Sequence, residues 1–290
     1  MQIRVSCLIA AVASALLALV VSPAHAEPAM WVVKDADSTI YLLGTFHLTK
    51  PSMHWRSDKI ETAFKDSSEL WLEASGDGDA AMLQGLVTKY GLDPAHPLSS
   101  KLSSDDWAKV QSAAKDGGVP ISAVDRMRPW LASVSLVVAS AMKQGYDPAK
   151  GADRLLEASA AAARKTIKSF ETPEQQVQML ASVSEETEVA MLIRSLDDLA
   201  SGTDYVDRVA EAWMAGDIGA LEAMSVGRLK DSPELLDAMF VKRNLAWCDQ
   251  IAAIMKGAGT SFVAVGAGHL VGEQSVPALL AERGFTVTPY

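Results

Sequence analysis

The chain has 290 residues, 49% hydrophobic and 21% charged, a composition that supports a sizeable globular core. Its formal net charge is −10 and it has no Lys/Arg cluster, which argues against a nucleic-acid surface. An anionic substrate is only weakly disfavoured, because a pocket can be basic in an acidic protein.

Residues 1–26 have the form of a cleavable signal peptide. Arg4 supplies the positive start, residues 5–21 form an apolar run, and Ala24-His25-Ala26 is an A-x-A cleavage site. No later stretch is long and apolar enough to span a bilayer, so no stable membrane anchor is expected after cleavage. The mature protein is expected in the periplasm or outside the cell. Of the two cysteines, Cys7 leaves with the signal, and Cys248 remains alone as a buried core residue with no intramolecular disulfide.

The mature chain opens with a hairpin, residues 30–34 and 39–43, around the turn Asp35-Ala36-Asp37-Ser38. A helix is expected at 58–65 and a strand at 68–74, broken by Gly76-Asp77-Gly78-Asp79. Ser103 and Asp106 are spaced as a cap for a helix opening at Trp107, and Gly117-Gly118 stops it. Helices are expected at 129–142 and 153–165, then a short strand at 166–170. Thr172-Pro173-Glu174-Gln175 is a strong helix start. A helix follows at 204–214, and a long one runs from Ser232-Pro233-Glu234 to about Met255. A strand at 261–265, a helix at 275–283 and a strand at 285–287 close the chain. The pattern predicts an α/β fold in one domain over residues 27–290. Its mixed central sheet comes from the N- and C-terminal segments, with a largely helical middle insertion.

Two strand-like runs end in the same form, Gly44-Thr45-Phe46-His47 and Gly266-Ala267-Gly268-His269. Polar residues past the carboxyl ends of α/β strands point into the ligand crevice, and a glycine there allows close backbone approach. His47 and His269 are therefore the leading site candidates. Gly44, Thr45 and Gly266 are expected to shape the substrate side. His54 lies in a loop that would reach the pocket mouth at most, and His96 reads as a solvated loop residue. Glu73 ends the apolar strand Leu70-Trp71-Leu72, where a carboxylate has no packing reason to sit. Glu171 stands likewise after Phe170. Arg243 and Asn244 interrupt the apolar stripe of the last long helix. Arg243 is expected to hold Glu73 or Glu171, to meet a substrate anion, or simply to extend to solvent past the apolar stripe. Arg126, Arg128 and Trp130 would line a pocket or cap the helix that follows them.

Two imidazoles with one or two carboxylates suit a divalent metal such as Mn²⁺, Co²⁺ or Zn²⁺, with His47, Glu73 and His269 as ligands. Such an ion would polarise a carbonyl and activate water. A metal-free version is also chemically sound, with His or Glu as general base on water and Arg or Lys steadying the oxyanion. His-Glu-x-x-His, Walker, Gly-x-Ser-x-Gly and Cys-x-x-Cys patterns are absent from the sequence.

These motifs, in this order, resemble the TraB/PrgY/GumN proteins, which are related to the Tiki metalloproteases. The resemblance runs through Tyr41-Leu42-Leu43-Gly44-Thr45-Phe46-His47, Leu70-Trp71-Leu72-Glu73, Met127-Arg128-Pro129-Trp130, Gly151-Ala152-Asp153, Glu171-Thr172-Pro173-Glu174-Gln175, Arg243-Asn244 and Gly266-Ala267-Gly268-His269. Ser169-Phe170 departs from the Gly-Leu common before the family's second acidic residue. The resemblance implies an α/β fold with both Gly-x-x-His motifs and the acidic residues at one site. From the Tiki branch it implies cleavage of peptides with a divalent metal, although the signal peptide places this chain nearer the bacterial GumN branch.

The leading expectation is a secreted or periplasmic metal-dependent hydrolase acting on a peptide or small molecule. His47, Glu73 and His269 would be ligands, Glu171 a further ligand or base, and Arg243 an orienting or oxyanion group. The alternatives are a non-catalytic protein holding metal, haem or another ligand at the same site, and a metal-free His/Glu hydrolase.

Overall fold

The computed structural model describes residues 27–75, 80–201 and 205–290. The expected signal peptide and the break at residues 76–79 lie outside the described residues. The chain begins with β1 (Met30–Lys34), β2 (Ser38–Thr45), α1 (Asp58–Asp66) and β3 (Glu69–Ala74). The middle follows as α2 (Ala80–Gly91), α3 (Ser104–Gly117), α4 (Ile121–Val124), α5 (Pro129–Lys143), α6 (Ala152–Ala162), β4 (Thr166–Glu171), α7 (Pro173–Ala181), α8 (Glu185–Ala200), α9 (Tyr205–Ala215) and α10 (Ile218–Met224). The closing part is α11 (Pro233–Leu236), α12 (Lys242–Ile254), β5 (Gly259–Gly266), α13 (Val276–Glu282) and β6 (Val287–Pro289).

The fold is mixed α/β, as expected. The strands form one sheet in the order β4-β3-β5-β2-β1-β6. β2, β5, β3 and β4 are parallel, so their carboxyl ends share one edge. β1 is antiparallel to β2 and β6. Among the described residues, five strands come from the two ends of the sequence, and β4 from the helical middle supplies the outer parallel edge. The last strand begins later than the apolar run suggests. Trp31 to Val33 pair with Val287 to Pro289, while Phe285 packs against the core.

Alternation along the strands divides the core into two faces. Leu43, Leu70, Leu72, Phe262 and Ala264 meet α1, α6, α9 and α10 on one side. Ile40, Leu42, Val263 and Val265 meet α12 and α13 on the other. Cys248 lies in this second core, and its burial pushes the thiol up to about 11, the state of an inert packing residue. A third cluster joins α3, α4, α5 and α8.

The caps are well formed. Ser103 accepts from Asp106 N, although α3 starts at Ser104, ahead of the expected Trp107. Thr172 and Gln175 exchange the two hydrogen bonds of a capping box. Arg128 pairs with the fully buried Glu188 of α8 and donates to the carbonyls of Tyr90 and Ala181. The Arg128-Pro129-Trp130 stretch therefore ties α5 to its neighbours instead of lining the site.

Candidate functional site

The parallel register delivers the site. Thr45 lies opposite Gly266 at the ends of β2 and β5, and Ala74 lies opposite Glu171 at the ends of β3 and β4. His47, His269, Glu73 and Glu171 consequently leave the same edge of the sheet, the usual ligand-binding edge of an α/β sheet. Gly44 allows this crossing to be tight, because a Cβ there would lie 3.1 Å from both Cα and Cβ of Ala267. The Trp213 indole donates to the Gly44 carbonyl at 2.7 Å and fixes the same turn from outside.

Arg243 is the centre of the cluster. Its Nε donates to Glu171 Oε1 at 2.8 Å, and Nη2 donates to Glu171 Oε2 at 2.8 Å and to Glu73 Oε2 at 2.7 Å. Nη1 donates to the Met239 carbonyl at 3.1 Å and to His269 Nε2 at 2.9 Å. A guanidinium has five N–H bonds, and all five are engaged by protein. Arg243 therefore orients the carboxylates, and in this arrangement it has no donor left for an oxyanion. Trp247 donates to Glu171 Oε1 at 3.0 Å, and its ring lies 4.7 Å from the guanidinium carbon.

These partners determine the tautomer of His269. Arginine can only donate, so His269 Nε2 must accept and Nδ1 must carry the proton. That proton meets Asn244 Oδ1 at 2.6 Å, and Asn244 Nδ2 donates to the Gln274 carbonyl at 2.8 Å. Burial opposes charging of the ring, and Arg243 adds to this, lowering its pKa to about 3 even against the pull of Glu73. Burial raises the Glu73 carboxyl, but the surrounding cationic groups and the Gly266 N–H outweigh it and bring the pKa to about 2.

The last long helix is not uniform α-helix as expected. A π turn, Asp237–Val241, joins α11 to α12. Phe240 within it packs its ring 4.9 Å from that of His269, and the Met239 carbonyl accepts from Arg243. Such turns commonly mark functional sites, since they re-aim side chains within a continuous helix.

His47 is placed differently from His269. Its side chain is 59% exposed, and its Nδ1 lies 3.4 Å from Oδ1 of Asp153 near the start of α6. That oxygen is buried and lacks a hydrogen bond of normal geometry. The dense surroundings of the ring oppose its charge, but Asp153, with Glu73 beyond, outweighs them and raises its pKa to about 9. Gly151 permits the contact. A Cβ there would approach the His47 carbonyl oxygen to 2.5 Å and Asp153 Oδ1 to 2.8 Å.

Gly266 is the point where the two halves meet. A Cβ at Gly266 would lie 3.0 Å from Glu73 Oε1, 3.4 Å from His47 Nε2 and 3.7 Å from His269 Cδ2. Glu73 Oε1 accepts the Gly266 N–H at 2.6 Å. The residues expected as metal ligands thus converge, but with Arg243 in place they are not arranged as a metal centre. Its N–H groups take the His269 Nε2 lone pair and Glu73 Oε2. Among the described residues, no group of three or more His, Cys, Asp or Glu side chains is spaced to hold an ion.

His47, Glu73, Glu171, Arg243, Asn244, Gly266 and His269, the candidates visible in the sequence, are brought together here. Thr45 is buried beside them, with a hydroxyl that makes no hydrogen bond. His54 is exposed and takes no part in the cluster, and His96 pairs with Asp93 on the surface. The reading missed Asp153 as the partner of His47, Trp247 as a donor, and Gln176, which donates to Glu73 Oε2 at 3.1 Å.

A family model for the TraB/PrgY/gumN family matches residues 29–289. The chain belongs to this family. It is 24% identical over 280 residues to an uncharacterized protein of Treponema pallidum (strain Nichols), covering 89% of this chain and 82% of that one. It is also 24% identical over 256 residues to the uncharacterized protein YbaP of Escherichia coli (strain K12), covering 87% and 92% respectively. YbaP of Shigella flexneri has the same identity and coverage. No solved structure matches the chain.

Proposed function

We propose that this TraB/PrgY/gumN-family chain is a hydrolase of carbonyl substrates, peptide bonds foremost, that works outside the cytoplasm after loss of residues 1–26. The reacting side chain is His47. One observation carries the reading: an exposed imidazole has its Nδ1 toward the buried Oδ1 of a half-buried carboxylate, Asp153, and its Nε2 toward the space around Gly266. That is the arrangement of a histidine that moves protons at Nε2 while a carboxylate holds the other nitrogen.

In this mechanism protonated His47 gives its Nε2 proton to the leaving group, while the Glu73 carboxylate takes a proton from the attacking water. Asp153 stabilises the imidazolium. Their 3.4 Å separation tightens when substrate excludes solvent, as catalytic hydrogen bonds commonly do. Glu73 Oε1 faces the same space and orients the water. Arg243, Glu171, Asn244 and Trp247 hold Glu73 and His269 in fixed positions, so little reorganisation accompanies reaction.

A metal-dependent form of the same hydrolase is the second reading. It is favoured by the convergence of His47, Glu73 and His269 around Gly266, and it requires Arg243 to turn out of the cluster.

The test is turnover of a peptide library by wild type and by His47→Ala. Because the side chain is exposed, the variant should fold normally. The expected loss is about 10²-fold or more, the range for general acid–base catalysis. Unchanged turnover in His47→Ala would sink the proposal, and so would tight retention of a ligand such as haem with no turnover of any peptide.

A further inference from the structure

A cavity of about 510 Å³ lies beside the site, a volume typical of small-molecule pockets. Val137 and Val138 of α5, Met191 of α8, Val209 of α9, and Met239 and Phe240 of the π turn supply apolar wall. Each of these side chains is only half-buried, so apolar surface that other helices would normally cover faces the void. The cavity meets the site at two places. Phe46 lines it and precedes His47, while Phe240 lines it and packs on His269.

Three charged side chains stand in the wall: Arg194, Asp198 and Arg228. Arg228 Nη2 donates to both carboxylate oxygens of Asp198 at 2.8 Å, and the two charges cancel. Arg194 has neutral partners, the Arg228 carbonyl and the Ser232 hydroxyl. Among the described residues of the wall, one positive charge is therefore left without a carboxylate.

We infer that this cavity binds a single-chain anionic amphiphile of the fatty-acid class, with the alkyl chain along the valine and methionine wall and the acid group on Arg194. The apolar lining selects a chain and excludes a short polar acid. The uncompensated guanidinium selects an anion over an alcohol of equal length, because a carboxylate makes charge-assisted hydrogen bonds to it. The cavity walls carry this inference without the chemistry of His47.

The test is calorimetric titration of the purified protein with decanoate, decanol and butyrate. One equivalent of decanoate should bind, with decanol and butyrate each about tenfold weaker or more. Arg194→Gln should weaken decanoate about tenfold and leave decanol unchanged. Val137→Glu should abolish decanoate binding, and His47→Ala should leave it intact. Decanol binding as well as decanoate, or decanoate binding unaffected by both cavity variants, would overturn the inference. So would a solution dimer that Val137→Glu dissociates, which would assign this face to a second copy of the chain. A protein that binds decanoate but cleaves no peptide refutes the hydrolase reading alone. Peptide cleavage without decanoate binding refutes the cavity inference alone.

Discussion

Asn244 sets the protonation of His269 through a 2.6 Å hydrogen bond, and with it the face that the imidazole turns to Arg243. The asparagine is itself held by the Gln274 carbonyl, so its oxygen cannot easily exchange with its nitrogen. Replacing it with leucine removes the acceptor and leaves a buried N–H unpaired, which costs about 1–3 kcal/mol. In Asn244→Leu, nitrogen NMR of the His269 ring should show loss of the single Nδ1–H tautomer seen in wild type. An unchanged ring spectrum would mean that Arg243 alone sets the tautomer.

The His47–Asp153 pair makes a prediction about the alkaline limb of activity. With the folded pKa raised to about 9, His47 remains able to donate a proton up to that pH. Activity should fall as pH rises through about 9. In Asp153→Asn the chief raising influence is gone, and the fall should move down toward the ordinary histidine value of 6.5. A pH–rate profile of the two proteins checks this, and coincident alkaline limbs would contradict it.

Stability should respond to the two histidines with opposite signs. The pKa of His269 is lowered to about 3, so its contribution is present above 6.5 and is lost as pH falls from 6.5 toward 3. Glu73, lowered from 4.5 to about 2, adds a loss between those values. His47 is raised, so its contribution is complete below 6.5 and is lost as pH rises through 9. Urea unfolding at pH 4, 6.5 and 9 should show His269→Gln with a shallower acid decline and His47→Ala with a shallower alkaline one. Parallel curves for all three proteins would rule out both linkages.

Gly266→Ala tests the convergence point. The new Cβ would sit 3.0 Å from Glu73 Oε1 and 3.4 Å from His47 Nε2, displacing both by a few tenths of an ångström. The backbone φ of −50° is open to alanine, so the stability cost should stay within about 1–3 kcal/mol. Activity should fall far more, by about 10²-fold, because misplacement of reacting groups is costly. Steady-state kinetics beside a thermal melt separates the two effects.

The strand ends were legible because each apolar run stops abruptly at a polar or glycine residue, and a parallel sheet carries such ends to one edge. Glu73, Glu171, His47 and His269 stood out for that reason. Asp153 did not, since an acid in the first turn of a helix is common on dipole grounds alone. Gly151, two residues earlier, was the available signal, but its meaning depends on the close approach of the His47 carbonyl. Arg243 was visible as an intruder in an apolar stripe. Its five hydrogen bonds go to four residues from separated segments, and no local pattern encodes them. The π turn likewise left the periodicity of residues 232–255 reading as one helix, because a single extra residue shifts the apolar stripe only slightly.

The most direct test of the account is peptide turnover after exhaustive chelation, measured on wild type and His47→Ala. Chelated wild type should keep its activity, and His47→Ala should lack it with or without added Mn²⁺, Co²⁺ or Zn²⁺. Activity that disappears on chelation and returns with one of these ions would contradict this, and would mean that Arg243 gives way to a metal at the Glu73–His269 face.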